Sequence, residues 1–281
     1  MGANSAIRKV AKAILYPVAN ETSYAYFQAA SKAWDIKRGS WSEPELDLLV
    51  PGILPGETAL DLGANYGVYA YHMSIAAGAA GHVYSFEPIP FTFKSLKIVS
   101  KLLGFTKNVV LIDKGCGDAN ETVEFAVPTQ ASGAFAAGQA HIGDRDDDRD
   151  GKEDQVKWTG TKPVKAEIVR LDDFLPDLDN VSFIKADIEG AELFAFRGAA
   201  RLITRFLPTV ICEINPWFLK GYGIELGELT GFFFDIGYKL YFYNNDDGKR
   251  SLVEVDERDV VEDNYVFIHP SRSERFKGMM N

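Results

Sequence analysis

Cysteine is scarce in this 281-residue chain; Cys116 and Cys212 are the only two. Two cysteines make neither a disulfide framework nor a zinc site. Cys212 lies in an apolar strand pattern, so both read as reduced thiols of a cytoplasmic protein. Histidine is also sparse, and His72, His82, His141 and His269 each read as structural or exposed. Positive charge is in deficit. The formal net charge of −10 excludes the broad basic face that nucleic-acid binding normally requires. No apolar run approaches a membrane span, and there are no internal repeats.

What is present is ordinary for a soluble globular protein: 46% hydrophobic and 25% charged residues. Near the start, Ile7, Val10 and Ile14 share a helical face, with Arg8, Lys9 and Lys12 elsewhere. That pattern suits a helix packed on its own domain, with contact to an anionic membrane surface as the alternative. Ala6 breaks the myristoylation pattern that Met1-Gly2 opens. Residues 1–57 read as a helical, aromatic-rich segment and a candidate substrate cover, closed by Pro51-Gly52 and Pro55-Gly56.

From residue 58 to about 270 strands and helices alternate. Thr58–Leu62, His82–Phe86, Asn108–Ile112, Val181–Ala186 and Thr209–Cys212 read as buried strands. Val68–Ala77 and the apolar faces Phe93/Leu96/Val99/Leu103 and Leu193/Phe196/Ala200/Ile203 read as helices between them. Alternation of this kind predicts an α/β, doubly wound, mostly parallel sheet. Tyr238–Tyr243, Leu252–Val255 and Tyr265–Ile268 follow closely and predict an antiparallel C-terminal edge. Residues 271–281 form a tail. An insertion over about 129–163 sits between two paired strands, Thr122–Val127 and Val164–Leu171. Its acidic run opens like a calcium loop at Asp146-x-Asp148-x-Asp150-Gly151, but Lys157 stands where the bidentate Glu is required.

The turn Asp61-Leu-Gly63-Ala64-Asn65-Tyr66-Gly67 joins the first strand to its helix. Spaced glycines let a ligand approach the backbone, and the new helix offers free N–H groups. The glycine spacing is not G-x-G-x-x-G, and Asp61 would repel pyrophosphate but suit a cationic ligand. Four strands end in an acid: Asp61, Glu87, Asp187 and Glu213. Open α/β sheets bind ligands beyond those ends. Glu87 stands near the offset at which an acid meets ribose hydroxyls. If their strands are neighbours, Asp187 and Glu213 would share a proton or bind a cation.

These residues resemble a known family. Asp61–Gly67, Phe86-Glu87-Pro88, Ile184-Lys185-Ala-Asp187-Ile-Glu189-Gly190-Ala-Glu192, Gly198-Ala199 and Pro208–Glu213 look, in order and spacing, like the FkbM-type S-adenosylmethionine-dependent methyltransferases. The resemblance covers about residues 58–215 and implies a seven-stranded class I methyltransferase sheet, Rossmann-like, with its last strand antiparallel. It also implies S-adenosyl-L-methionine as cofactor and O-methylation of a sugar, glycan or natural product. Carried over, Asp61, Gly63, Ala64, Asn65, Tyr66 and Gly67 form the methionine-side loop, Glu87 takes the ribose, and Gly115 and Cys116 stand at the adenine wall. Asp187 faces the reaction centre and is the first candidate base, followed by Glu189 and Glu213. Mg²⁺ held by Asp187 and Glu213 is the alternative way to activate the acceptor.

Three other readings compete. An NAD-linked oxidoreductase needs a different glycine spacing. A nucleic-acid amino-methyltransferase is only faintly suggested by Asn215-Pro216-Trp217. A non-catalytic binding protein retaining the fold would not need acids at four strand ends. The sequence leaves acceptor and oligomeric state open.

Overall fold

Of the predicted strand-end acids, Glu87 and Asp187 stand just past their strands and Asp61 and Glu213 one residue inside theirs in the computed structural model, which describes residues 21–130, 141–142, 158–246 and 248–280. The N-terminal stretch comprises the helix Glu21–Lys37, a 3-10 turn Pro44–Leu48 and the short helix Leu49–Gly52. Strands β1 (Thr58–Leu62), β2 (His82–Phe86) and β3 (Val109–Ile112) then alternate with helices Val68–Ala77 and Pro90–Leu103. Gly104, in the left-handed region with φ +77°, caps the second of these. A small second sheet follows: β4 (Gly115–Cys116), β5 (Glu121–Gln130), β6 (His141–Ile142) and β7 (Trp158–Val169). The chain returns to the main sheet through β8 (Phe183–Ala186), β9 (Thr209–Ile214), β10 (Lys239–Asp246), β11 (Lys249–Glu254) and β12 (Asp263–Ile268).

The main sheet has eight strands in the order β11-β10-β12-β9-β8-β1-β2-β3. The parallel block is β9-β8-β1-β2-β3, and β12 runs antiparallel to both β9 and β10. The expected seven strands become eight because the chain turns at Gly248 and folds β11 back onto β10. The strand order reverses between β1 and β8, which opens a crevice at their carboxyl ends.

Period-two alternation assigns each residue of the central strands to one face. Ala59, Phe183, Ile211 and Val266 join a core that also holds Ala29, Ala33, Ile36 and Leu48. Leu60, Ile184, Val210 and Phe267 join a second core with Leu193, Phe196 and Phe233. The helix Glu21–Lys37 therefore helps to bury one face of the sheet, packed beside Pro90–Leu103. Asp61 and Lys185, next in alternation after Ala59 and Phe183, lie on that same face.

The apolar face Leu193–Ile203 is not one helix but two, Glu192–Gly198 and Ala200–Phe206. A Cβ on Gly198 would stand 1.9 Å from the Gly117 carbonyl oxygen, so the chain breaks where two backbones touch. The paired strands around the insertion are longer than predicted, and β7 also pairs in parallel with β4, Gly115 opposite Ile168. The calcium-like acidic run and the amphipathic stretch of residues 7–18 both lie outside the described residues. Among the described residues no helix is long and apolar enough to cross a membrane. Both cysteines are buried free thiols.

Candidate active site

At the reversal of strand order the turn after β1 is pinned to its neighbours. Gly63 and Ala64 N–H groups both donate to the Phe86 carbonyl of β2 (3.0 and 2.8 Å), and Asp187 N–H donates to Leu62 (3.0 Å). Gly63, Asn65 and Gly67 take positive φ (+83°, +49° and +86°), the conformation that glycine and asparagine accept at least cost. A Cβ on Gly63 would sit 2.0 Å from the Asp187 carbonyl oxygen.

A cleft, open at its mouth, lies over this turn. Of the sequence-predicted residues it is lined by Gly63, Asn65, Glu87, Gly115, Cys116, Asp187 and Glu189. Asp61 and Ala64 lie buried behind the turn. Tyr66 points away and donates to Gln28 (3.0 Å), and Gly67 faces Leu96. Sequence reasoning missed Phe86, Ile89, Phe125, Ile168 and Tyr222 on the cleft wall. Phe125 and Ile168 come from the second sheet, and no local motif announced them. Only the pairing of β4 with β7 brings them over Gly115 and Cys116.

Glu87 is buried, with its carboxylate clamped by two backbone donors, Asn65 N–H (3.0 Å) and Ile89 N–H (2.9 Å). Burial nevertheless pushes it up to about 7. Asp61 is pushed up to about 7, by burial first, with the Lys185 charge opposing. Asp61 Oδ2 and Asn65 Oδ1 are buried oxygens with no hydrogen-bond partner. Of the two, only Asn65 lines the cleft; the Asp61 carboxyl lies behind the turn, with the Ala70 N–H and the Ser85 hydroxyl beside it.

Raised carboxyls give a signed prediction. A group that titrates near 4 unfolded and near 7 folded binds more protons in the native state across that window, so stability falls as pH rises through it. Asp61→Asn is expected to flatten the decline in melting temperature between about pH 5 and about pH 8 measured without ligand. An unchanged slope would show that the Asp61 carboxyl is not held in its neutral form.

Asp187 and Glu213 end adjacent strands, with Ala186 in register with Cys212. Glu213 is held well above the usual carboxylate range, by burial and then by the charges of Asp187 and Glu189. The Glu213 side chain is within hydrogen-bond reach of Asp187, so the two carboxyl groups meet at the ends of neighbouring strands. The Asp187 side chain is 46% exposed, with Lys185 Nζ 3.6 Å from its Oδ2. Glu189 (φ +58°) and Gly190 (φ +98°) form a loop closed by Glu192, whose Oε1 accepts from Ile188 and Gly190 N–H. Glu192 is thus a fold-back cap, whereas Glu189 reaches the cleft.

The expected Mg²⁺ site is not supported. Among the described residues no three His, Cys, Asp or Glu side chains converge as ligands. The Lys185 ammonium already occupies a cation's place beside Asp187. Asn215 caps the helix Pro216–Gly221 by accepting from Trp217 and Phe218 N–H, so the Asn215-Pro216-Trp217 sequence is accounted for as a cap.

Comparison with known proteins adds a family. No curated protein matches the chain. Among solved structures, similarity extends to a methyltransferase FkbM from Methylobacillus flagellatus KT at 18% identity and TM-score 0.47, over 76% of this chain and 43% of that one. A SAM-dependent methyltransferase from Aquifex aeolicus is similar at 14% identity and TM-score 0.40, over 84% and 98%. A SAM-dependent O-methyltransferase from Thermotoga maritima is similar at 10% and 0.40, over 83% and 68%. The chain spans less than half the length of the Methylobacillus protein. Residues 61–240, more than half of this chain, match the family profile described as the Methyltransferase FkbM domain. The chain belongs to the FkbM methyltransferase family.

Proposed function

We propose that the protein transfers a methyl group from S-adenosylmethionine to a hydroxyl of a sugar, glycan or natural product. One observation carries this reading: the cleft lining combines three kinds of group, apolar side chains, a buried carboxylate and a pair of further acids. Phe86, Ile89, Cys116, Phe125 and Ile168 form an apolar slot that fits a purine. Glu87 stands at its edge, where a carboxylate meets a ribose diol. Asp187 and Glu189 make the far end acidic, which suits a sulfonium. The unmatched Oδ1 of Asn65, on the cleft lining, fits the same ligand, whose ammonium is a donor.

Bound S-adenosylmethionine supplies an electrophilic methyl group. The chain's own residues do the rest. The glycine turn and Glu87 hold the ligand, and holding two reactants in line is worth about 7–11 kcal/mol of barrier. Asp187 accepts the acceptor hydroxyl's proton. Glu213, within hydrogen-bond reach of Asp187, helps to fix the carboxylate's direction. Phe125, Ile168 and Tyr222 narrow the cleft and limit water.

A thermal-shift assay with S-adenosylhomocysteine and NAD tests the reading. At 100 times its dissociation constant a ligand stabilises by about 2.7 kcal/mol, and only S-adenosylhomocysteine should do so. Stabilisation by NAD alone, or by neither, would remove the proposal. Glu87→Gln presents an amide where two backbone donors expect an acceptor. It is expected to weaken S-adenosylhomocysteine about 10–100-fold by calorimetry, the cost of a charged hydrogen bond.

A further inference from the structure

Lys185 is the one fully buried lysine among the described residues, 1% exposed, on the central strand β8. A buried ammonium is costly unless it is paired and hydrogen-bonded. This one is both. Its Nζ donates to Asn264 Oδ1 of β12 (2.8 Å) and to the Ala186 carbonyl (3.4 Å), and lies 3.6 Å from Asp187 Oδ2. The Tyr69 ring centroid, from the helix Val68–Ala77, is 5.2 Å away.

The charged groups around it come from every element packed there. Asp61 on β1, Glu45 on the N-terminal 3-10 turn, Asp187 after β8 and Glu213 on β9 all act on it electrostatically. Glu45 is itself buried and accepts from the Tyr69 hydroxyl (3.4 Å). Burial pulls Lys185 down, but the surrounding acids more than offset it and leave it above its ordinary value. Lys185 therefore stays charged and is no candidate base. Four carboxyl groups surround one ammonium, and only Asp187 opens substantially to solvent.

We infer that Lys185 is the positioning residue of the methyl-transfer centre, anchored by Asn264, holding the Asp187 carboxylate in place and offsetting part of the negative charge around the transferred methyl. The inference rests on the proposed methyl-donor cleft. Its consequence is a finely set local charge. Without Lys185 the centre would be more negative and would grip a cation there more tightly, while Asp187 would lose its lateral restraint.

Two analogues read that charge without an acceptor. S-adenosylhomocysteine is neutral at sulfur, whereas sinefungin carries an ammonium where the methyl sits. Calorimetric dissociation constants for both are compared in wild type, Lys185→Gln, which retains an amide donor for Asn264, and Lys185→Met. Loss of a unit charge several ångströms away at protein-like dielectric should raise the preference for sinefungin over S-adenosylhomocysteine about tenfold in both variants. A purely structural role would weaken both ligands together and leave their ratio unchanged; that outcome overturns the inference. So does failure of both variants to give a cooperative melt, which would assign Lys185 to the fold. If wild type binds neither ligand, the methyl-donor reading itself fails, and that result is visible before any variant is made.

Discussion

Asp187→Asn is expected to lower methyl transfer by about 10²–10⁴-fold, the usual contribution of a positioned general base. An alcohol is a poor nucleophile while protonated, and the amide of asparagine cannot take its proton. The side chain keeps its size, and asparagine still offers an oxygen to Glu213 and Lys185, so S-adenosylhomocysteine affinity should stay within about threefold, less than 1 kcal/mol. The measurement is transfer of labelled methyl from S-adenosylmethionine into fractionated cell extract, alongside calorimetry on the same preparation. Near-normal transfer with intact binding would remove Asp187 as base and move attention to Glu189, the other candidate base that lines the cleft. Equal losses in binding and transfer would instead show that Asp187 holds the cofactor.

Gly63→Ala should do more damage than its one methyl group suggests. Its Cβ would meet the Asp187 carbonyl oxygen at 2.0 Å and Ile188 Cγ2 at 2.9 Å, at a φ of +83°. The first contact is with backbone, so no rotamer change relieves it. The turn cannot retreat, because Gly63 and Ala64 N–H groups are tied to Phe86 on the other side. The wedge therefore parts β1 from β8 at the residue proposed as base. Strain of this kind belongs to the exceptional tail of single substitutions, about 3 kcal/mol or more, or roughly 6–12 °C in melting temperature. S-adenosylhomocysteine binding should be lost with it. A melting temperature within about 2 °C of wild type together with normal binding would show that the turn can rearrange.

The parts of this molecule that were legible in sequence are those governed by local rules. Val68–Ala77 and His82–Phe86 emerged with the predicted ends because a glycine turn or a proline bounds each of them. Parallel pairing followed from alternation, whereas the order of the strands did not. Three features were not legible. The helix break at Gly198 depends on an approach by Gly117, some eighty residues earlier in the chain. Phe125 and Ile168 reach the cleft only through pairing within the second sheet. Lys185 was visible within its motif, but a lysine in a strand carries no local sign of whether it faces solvent or four acids. In each case the deciding contact spans a sequence distance that periodicity cannot see. The strand-end acids were visible, and what the fold added was their division of labour. Glu87 is clamped by backbone, Glu192 folds back as a cap, Glu213 is largely buried against Asp187, and Asp187 is left open to the cleft.

The position of β1 also bears on the molecule's assembly during synthesis. One of its edges pairs with β2, only twenty residues on, but the other waits for β8. At about 5–20 residues per second the chain between Leu62 and Phe183 takes roughly 6–24 s to make. Through that interval the nascent β1-β2-β3 unit carries an apolar open edge at its centre, the kind of surface that chaperones cover and that aggregates seek. The ligand cleft lies across the same seam, so the pairing that covers this edge is also the one that brings Asp187 to the glycine turn.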